Sequence, residues 1–276
     1  MRCINFDKEF ERYVTQWMKD HAKEYRNYDE MEAAMPEVYD RFLDTPVNWL
    51  GGMKPGEYFT QFDNGKQLVN WMEDYYKQRI PVPDMLMNRI AELGLEAEDA
   101  LMQLLSKERA TREMQMAAVT LLREIDSTAP MQQYIDWQIA RQEGEDELAD
   151  NALDSLDSMG EKAVAAMRAA LPRASQDGQE ALLTLLANYP GDESVFQTAM
   201  ALFRSRRDRV AVMADCLGRL GDERALPELK ALAASEETPY LDYIELRSAI
   251  EALGGDAPDR NFDAEDPAYE AMRSMQ

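Results

Sequence analysis

Four arginines, Arg204, Arg206, Arg207 and Arg209, crowd the string "FRSRRDRV". A guanidinium presents a planar fork that fits a carboxylate or a phosphate. As a turn between helices, the cluster is expected to pair with neighbouring carboxylates such as Asp208. Its other use is as a contact for an acidic or phosphorylated partner. The opposite chemistry lies in residues 143–157, where Glu143, Glu145, Asp146, Glu147, Asp150, Asp154 and Asp157 take seven of fifteen positions. That stretch reads as a solvated turn and helix face. If it borders a groove, it would select a basic ligand by steering and reject anions.

Residues for catalysis are scarce. The chain has one histidine, His21, and it falls on an apolar helical stripe, where it reads as a packed, hydrogen-bonded side chain rather than a base or ligand. Any Ser-His-Asp or Cys-His nucleophile would have to use that one residue. Cys3 and Cys216 cannot form a disulfide framework, and Cys216, between Met213 and Leu217, reads as core packing. There is no CxxC, HExxH, calcium loop, GxGxxG or GxxxxGK, so no catalytic, cofactor-binding or metal-ligating residue is assigned. Carboxylates are numerous enough for an acid/base pair, but most alternate with apolar residues on helices and read as outer faces.

The charge balance narrows the partners. Fifty-three acidic against 30 basic residues give a formal net charge of −23 over 276 residues. Such a surface repels phosphate backbones and anionic membranes, so neither nucleic acid nor membrane is expected as a partner. No window reaches about 18 apolar residues, and the N-terminus lacks a signal-peptide core, so a cytoplasmic location is expected.

These charges must be carried by helices. Residues 1–80 hold 15 of the 24 aromatic residues and a net charge of −4 (11 basic, 15 acidic). Residues 81–276 carry −19. The segment Ile80-Pro81-Val82-Pro83 disfavours a continuing helix at that change. In residues 4–26, Phe6, Phe10, Tyr13, Val14, Trp17 and His21 share one helical face. Met31, Met35, Val38 and Phe42 form another, with Asp29 as expected N-cap and Pro36 either a kink or a first turn. Lys66–Gln78 is a third, capped by Asp63 or Asn64, with Leu68, Met72, Tyr75 and Tyr76 inward. Between them, Trp49, Tyr58 and Phe59 lie among glycines and prolines, either as a docking patch or, the favoured reading, as a small aromatic core.

Beyond residue 83 the helices recur. Met114, Ala117, Ala118, Leu121, Leu122 and Ile125 repeat the apolar spacing of Leu148, Ala152, Leu156 and Met159, then of Leu182, Leu185, Leu186 and Tyr189, and of Phe196, Ala199, Met200 and Phe203. Helix-ending glycines or capping aspartates fall at Gly94, Asp126, Gly160, Gly191, Gly221 and Gly254, at intervals of 32, 34, 31, 30 and 33 residues. A sustained period near 32 signals a repeat architecture whose helix pairs must stack to bury their apolar faces. In "RVAVMADCLGRLGDERALPELKALAAS", Gly221 can close one helix, Asp222 can cap the next, and Pro227 suits its first turn.

That string resembles a HEAT repeat, of the short HEAT-like kind found in phycobilisome lyases. "MGEKAVAAMRAAL" and "GLEAEDALMQLL" fit more loosely, and the resemblance covers about 83–254. It implies a superhelix of antiparallel pairs whose groove is lined by the helices ending near Ile125, Met159, Tyr189, Leu220 and Leu253. The HEAT-like deoxyhypusine hydroxylases need several His-Glu pairs, which one histidine cannot supply, and the HEAT-like DNA glycosylases need a basic channel. The expected fold is therefore all-α: an aromatic-rich helical unit (1–80), an α-solenoid of period about 30–34 (83–254), and an acidic tail (255–276) docked as a cap through Phe262, Tyr269 and Met272. The expected function is non-enzymatic binding of a protein or peptide with a basic surface, by the acidic segment (Glu143, Glu145, Asp146, Glu147, Asp150, Asp154) and the arginine turn. A lyase-like enzyme using carboxylates is the alternative, and a mimic of nucleic-acid charge the third reading.

Overall fold

A computed structural model describes residues 3–21, 23–260, 262, 269 and 271. Fifteen α-helices, several extended by 3₁₀ turns, account for the secondary structure of these residues. The one extended pairing among them is an antiparallel bridge between Val47 and Met53. Two compact units divide the chain, Met1–Pro130 and Met131–Gln276. The change of composition at residues 80–83 falls inside the first.

In the first unit, α1 (Phe6–His21) precedes α2 (Tyr28–Ala33) and α3 (Met35–Asp44). Asn27, not Asp29, caps α2, its side chain accepting from the Glu30 amide, and Pro36 sits in the first turn of α3. Proline costs least there, because those amides lack helical partners anyway. The interrupted stripe is thus two helices. Next, α4 (Gly65–Gln78) is capped by Asn64 and packs on α5 (Asp84–Glu92) and α6 (Glu98–Leu105), which in turn packs on α7 (Arg112–Glu124). Gly65 permits that approach: a Cβ there would lie 2.7 Å from the Glu96 carbonyl oxygen. Leu68, Met72 and Tyr75 are buried as expected, while Tyr76 is only half-buried.

Aromatic rings fill this unit. The Phe6 ring centre lies 5.8, 5.7 and 5.9 Å from those of Trp49, Tyr58 and Phe59, and Trp71 is 4.6 Å from Phe62. Phe59 is fully enclosed, but Trp49 keeps 41% of its surface exposed, so the aromatic core has an open edge there. His21 is half-buried, its Nδ1 2.9 Å from the Trp17 carbonyl oxygen and its ring stacked on the indole.

The second unit holds α8 (Met131–Ile139), α9 (Glu147–Met159), α10 (Glu161–Ala170), α11 (Gln176–Leu186), α12 (Glu193–Ser205), α13 (Val210–Leu220), α14 (Leu226–Ala233) and α15 (Tyr240–Ala252). Helix α9 packs on α8, α13 on α12, and α15 on α14; α11 also touches α9 and α13, and α13 touches α15. Small residues allow this. Gly218 of α13 faces Ala249 of α15, where a Cβ would meet the Ala249 Cα at 3.1 Å. Closer still, a Cβ on Gly178 would lie 2.0 Å from the Gln138 carbonyl oxygen, where the start of α11 receives the end of α8. Ser175 there donates its amide to Ile139 and its hydroxyl to Arg141, satisfying carbonyls that a helix end leaves free.

The periodic punctuation has a common backbone cause. Gly94, Asp126, Gly160, Gly191, Gly221 and Gly254 all have positive φ, between 55° and 93°. Asp126 is therefore a left-handed residue following α7 rather than an N-cap, a role its short polar side chain tolerates. Asp222 caps the 3₁₀ turn before α14 by accepting from the Arg224 amide, and Pro227 lies in that helix's first turn. The tail's described part docks: Phe262 packs on Tyr240 and Tyr243, and Arg260 lies over Phe262 and donates to the Thr238 carbonyl. Met272 lies outside the described residues.

Candidate functional site

The arginine string spans the end of α12 and the 3₁₀ turn Arg207–Arg209 that leads into α13. Its side chains leave in different directions. Arg204 makes a bidentate contact with Glu228 of α14, at 2.8 and 2.5 Å. Arg206 forks onto Asp208 at 3.2 and 3.0 Å and reaches back to Asp177 of α11 at 3.0 Å. Arg209 bonds Glu180, also on α11, through Nε at 2.8 Å and through Nη2. Arg207 is exposed and makes no ion pair among the described residues.

The partners Asp177 and Glu180 stand 29 residues before Arg206 and Arg209. Similar ties join Arg224 to Glu193 across 31 residues and Arg219 to the Thr184 carbonyl across 35. Hydrogen bonds thus tie segments about 30 residues apart, so Asp177, Glu180 and Glu193, unlike Asp208, are not sequence neighbours of the arginines they meet.

The acidic stretch forms the α8–α9 loop and the outer side of α9. Glu143, Glu145 and Glu147 are exposed, and Asp146 caps α9 by accepting from the Ala149 amide at 3.1 Å. Asp150 pairs with Arg141, which also donates to the buried Gln138 at 3.0 Å. Glu147, Asp150, Asp154 and Asp157 are all exposed and, at offsets 0, 3, 7 and 10, lie along one helical face. No basic residue occupies the last turn of α9.

Of the two clusters, Glu143 on one side and Arg206 and Arg209 on the other line one cleft of about 440 Å³, while Arg204, Arg207 and the remaining acidic residues of the stretch lie outside it. Arg141 and Glu143 line it from the α8–α9 side, Asp177, Glu180 and Thr184 from α11, and Arg206, Asp208 and Arg209 from the turn. Hydrogen bonds from Arg206 hold the Asp208 carboxyl below its usual range, and those to Asp208 and Asp177 raise the Arg206 guanidinium in turn. The bond to Glu180 raises Arg209 likewise. These charges are fixed at neutral pH. Burial pushes the Cys216 thiol up to about 11, so it is not a ready thiolate.

A second cleft of about 380 Å³ opens on the other side of the same turn, with Arg207 and Asp242 on its walls. Burial raises the Asp242 carboxyl. Arg141, Asp177, Glu180 and Asp242 carry no motif of their own. The sequence period was the one available signal for Asp177 and Glu180, each 29 residues before its arginine.

Among the described residues, no group of three His, Cys, Asp or Glu side chains is arranged to hold a metal ion, and no helix is long and apolar enough to cross a membrane. In comparisons with known protein families, characterised proteins and solved structures, none matches this chain.

Proposed function

We propose that the chain is a non-enzymatic helical-repeat protein, an α-solenoid of HEAT-like pairs, that binds a basic segment of a protein or peptide along α9 and the loop before it. The solenoid reading draws on the recurrent positive-φ positions, the ties about 30 residues apart, and the succession of contacts α9–α11–α13–α15. The binding reading rests on the exposed acidic face of α9. Asp154 and Asp157 stand toward the helix C-terminus, where the backbone dipole is itself negative and a cation, not an anion, is stabilising. A basic partner laid along this face would relieve both the mutual repulsion and the conflict with the dipole.

Binding is favoured over carboxylate catalysis because Asp177, Glu180 and Asp208 in the cleft are each engaged by an arginine, and the hydrogen bonds from Arg206 hold Asp208 below its usual range. A general acid needs a carboxyl whose pKa is raised toward neutrality. Fluorescence anisotropy with a labelled oligolysine peptide tests the proposal. The peptide is expected to bind with an affinity that falls steeply with salt. Asp154→Lys with Asp157→Lys is expected to weaken it at least tenfold, while Glu37→Lys on α3 leaves it unchanged. Equal weakening by both charge reversals would reduce the effect to net charge and refute a specific surface.

A further inference from the structure

In a chain with 53 acidic and 30 basic residues, a guanidinium has no shortage of carboxylates. Arg204, Arg206 and Arg209 each hold at least one, yet Arg207, in the same turn, holds none among the described residues. Glu228, the carboxylate whose charge it feels, is already engaged by Arg204. Arg207 lines the 380 Å³ cleft instead. Asp242, half-buried in the first turn of α15, lines the same cleft and has neither ion pair nor hydrogen bond from its side chain among the described residues. Its carboxyl is raised by burial with no opposing charge to offset it.

The remaining polar groups of this cleft are largely satisfied. The Thr238 hydroxyl donates to the Leu232 carbonyl at 2.7 Å, and Arg260 donates to the Thr238 carbonyl at 2.9 Å. The exposed Glu237 adds a second carboxylate, and Val210, Leu232 and Pro239 provide apolar wall. A partly desolvated charge without a partner is costly, and so is a buried half of an ion pair. One cavity thus presents an unpaired guanidinium and an unpaired, partly desolvated carboxylate that do not reach each other. Its volume lies within the range of about 300–1,000 Å³ common for small-molecule sites.

We propose that this cleft binds a small diamino-monocarboxylate, with free L-lysine or L-ornithine as the simplest members. The ligand's carboxylate takes the fork of Arg207, one ammonium pairs with Asp242, and the second lies toward Glu237. The class follows from charge: one guanidinium and two carboxylates are the complement of one carboxylate and two ammoniums. The site is separate from the α9 face and does not depend on the docking role proposed there.

Isothermal titration of the full chain with L-lysine tests this, beside pentane-1,5-diamine, which lacks the carboxylate. Lysine is expected to bind, and the diamine at least tenfold more weakly. Arg207→Gln, at an exposed position, is expected to weaken lysine binding at least tenfold and not to weaken that of the diamine. Asp242→Asn is expected to weaken both at least tenfold, with circular dichroism and an unchanged or raised melting temperature confirming the fold. Absence of lysine binding at about 10 mM, ten times a millimolar Kd, would overturn the proposal. So would equal binding of lysine and diamine, or lysine affinity indifferent to either substitution.

Discussion

In the first unit Phe59 is enclosed by the rings of Phe6, Tyr58 and Trp71, whereas in the second Phe203, as deeply buried, has no ring partner among the described residues. The first unit closes irregular loops by stacking a few large rings, and its buried Glu73 is neutralised by Lys77 and Lys107. The second packs alanine, leucine and glycine between its helices and carries surface arginines that reach Asp177, Glu180 and Glu193, about 30 positions earlier. Large rings bury more area per residue and have geometric preferences, so they suit a unit without internal symmetry. Small side chains let helix backbones approach, as at Gly178 against Gln138 and Gly218 against Ala249.

The hardest test of this contrast is Gly178→Ala. Its Cβ would lie 2.0 Å from the Gln138 carbonyl oxygen, so α8 and α11 must separate, at a cost of about 3 kcal/mol or more. Chemical denaturation should show unfolding at clearly lower denaturant. Alanine tolerated there would mean that close helix approach does not hold the second unit together.

Next come the two buried phenylalanines. Phe59→Leu should cost about 1 kcal/mol more than Phe203→Leu, because it also loses the edge-on contact with the Tyr58 ring, a geometry worth about 0.5–1.5 kcal/mol. Equal losses, measured in the same denaturant series, would remove the distinction between an aromatic and an aliphatic core.

A smaller effect distinguishes the ion pairs by pH. Burial alone would raise the Glu73 carboxyl, but hydrogen bonds from Lys107 and Lys77 outweigh it and hold it below its usual 4.5. A carboxyl depressed in the folded state stabilises above its unfolded pKa and loses that contribution as pH falls through the folded one. Stability should therefore decline below about pH 4.5, and Lys107→Met should flatten that decline. The smallest effect is expected for Arg224→Gln: the fork to Glu193 is solvent-exposed, and exposed pairs contribute little. Its unfolding midpoint should not shift measurably. A large shift would mean that surface ties, not packed helices, hold the second unit together.

The all-helical class was legible from apolar spacing, because a helical period of 3.6 residues leaves its mark on any sequence that buries one face. Leu182, Leu186, Phe196 and Phe203 are buried as that spacing requires. The chain's punctuation was legible too, since a left-handed backbone position selects glycine, and Asp126 shows how a tolerant side chain can conceal one. Helix starts were less so: Asn27 and Asp29 both qualify as caps, and only the backbone at residue 27, extended rather than helical, decides between them. The candidate sites were half legible. The arginine turn and the acidic stretch stood out by composition, but not that only Glu143 of that stretch shares a cleft with Arg206 and Arg209.

The amino-acid sequence by itself determined the net charge, the presence of a single histidine, the helical period and the positions where helices stop. These are local or summed properties, settled by residue type and spacing. Only the tertiary structure decided which carboxylate each arginine meets, that Arg207 and Asp242 line one cleft without pairing, and that Trp49 stays at the open edge of its cluster. Ion pairs and clefts depend on distances of a few ångströms between residues about 30 positions apart, and the packing of helices, not the order of residues, sets those distances.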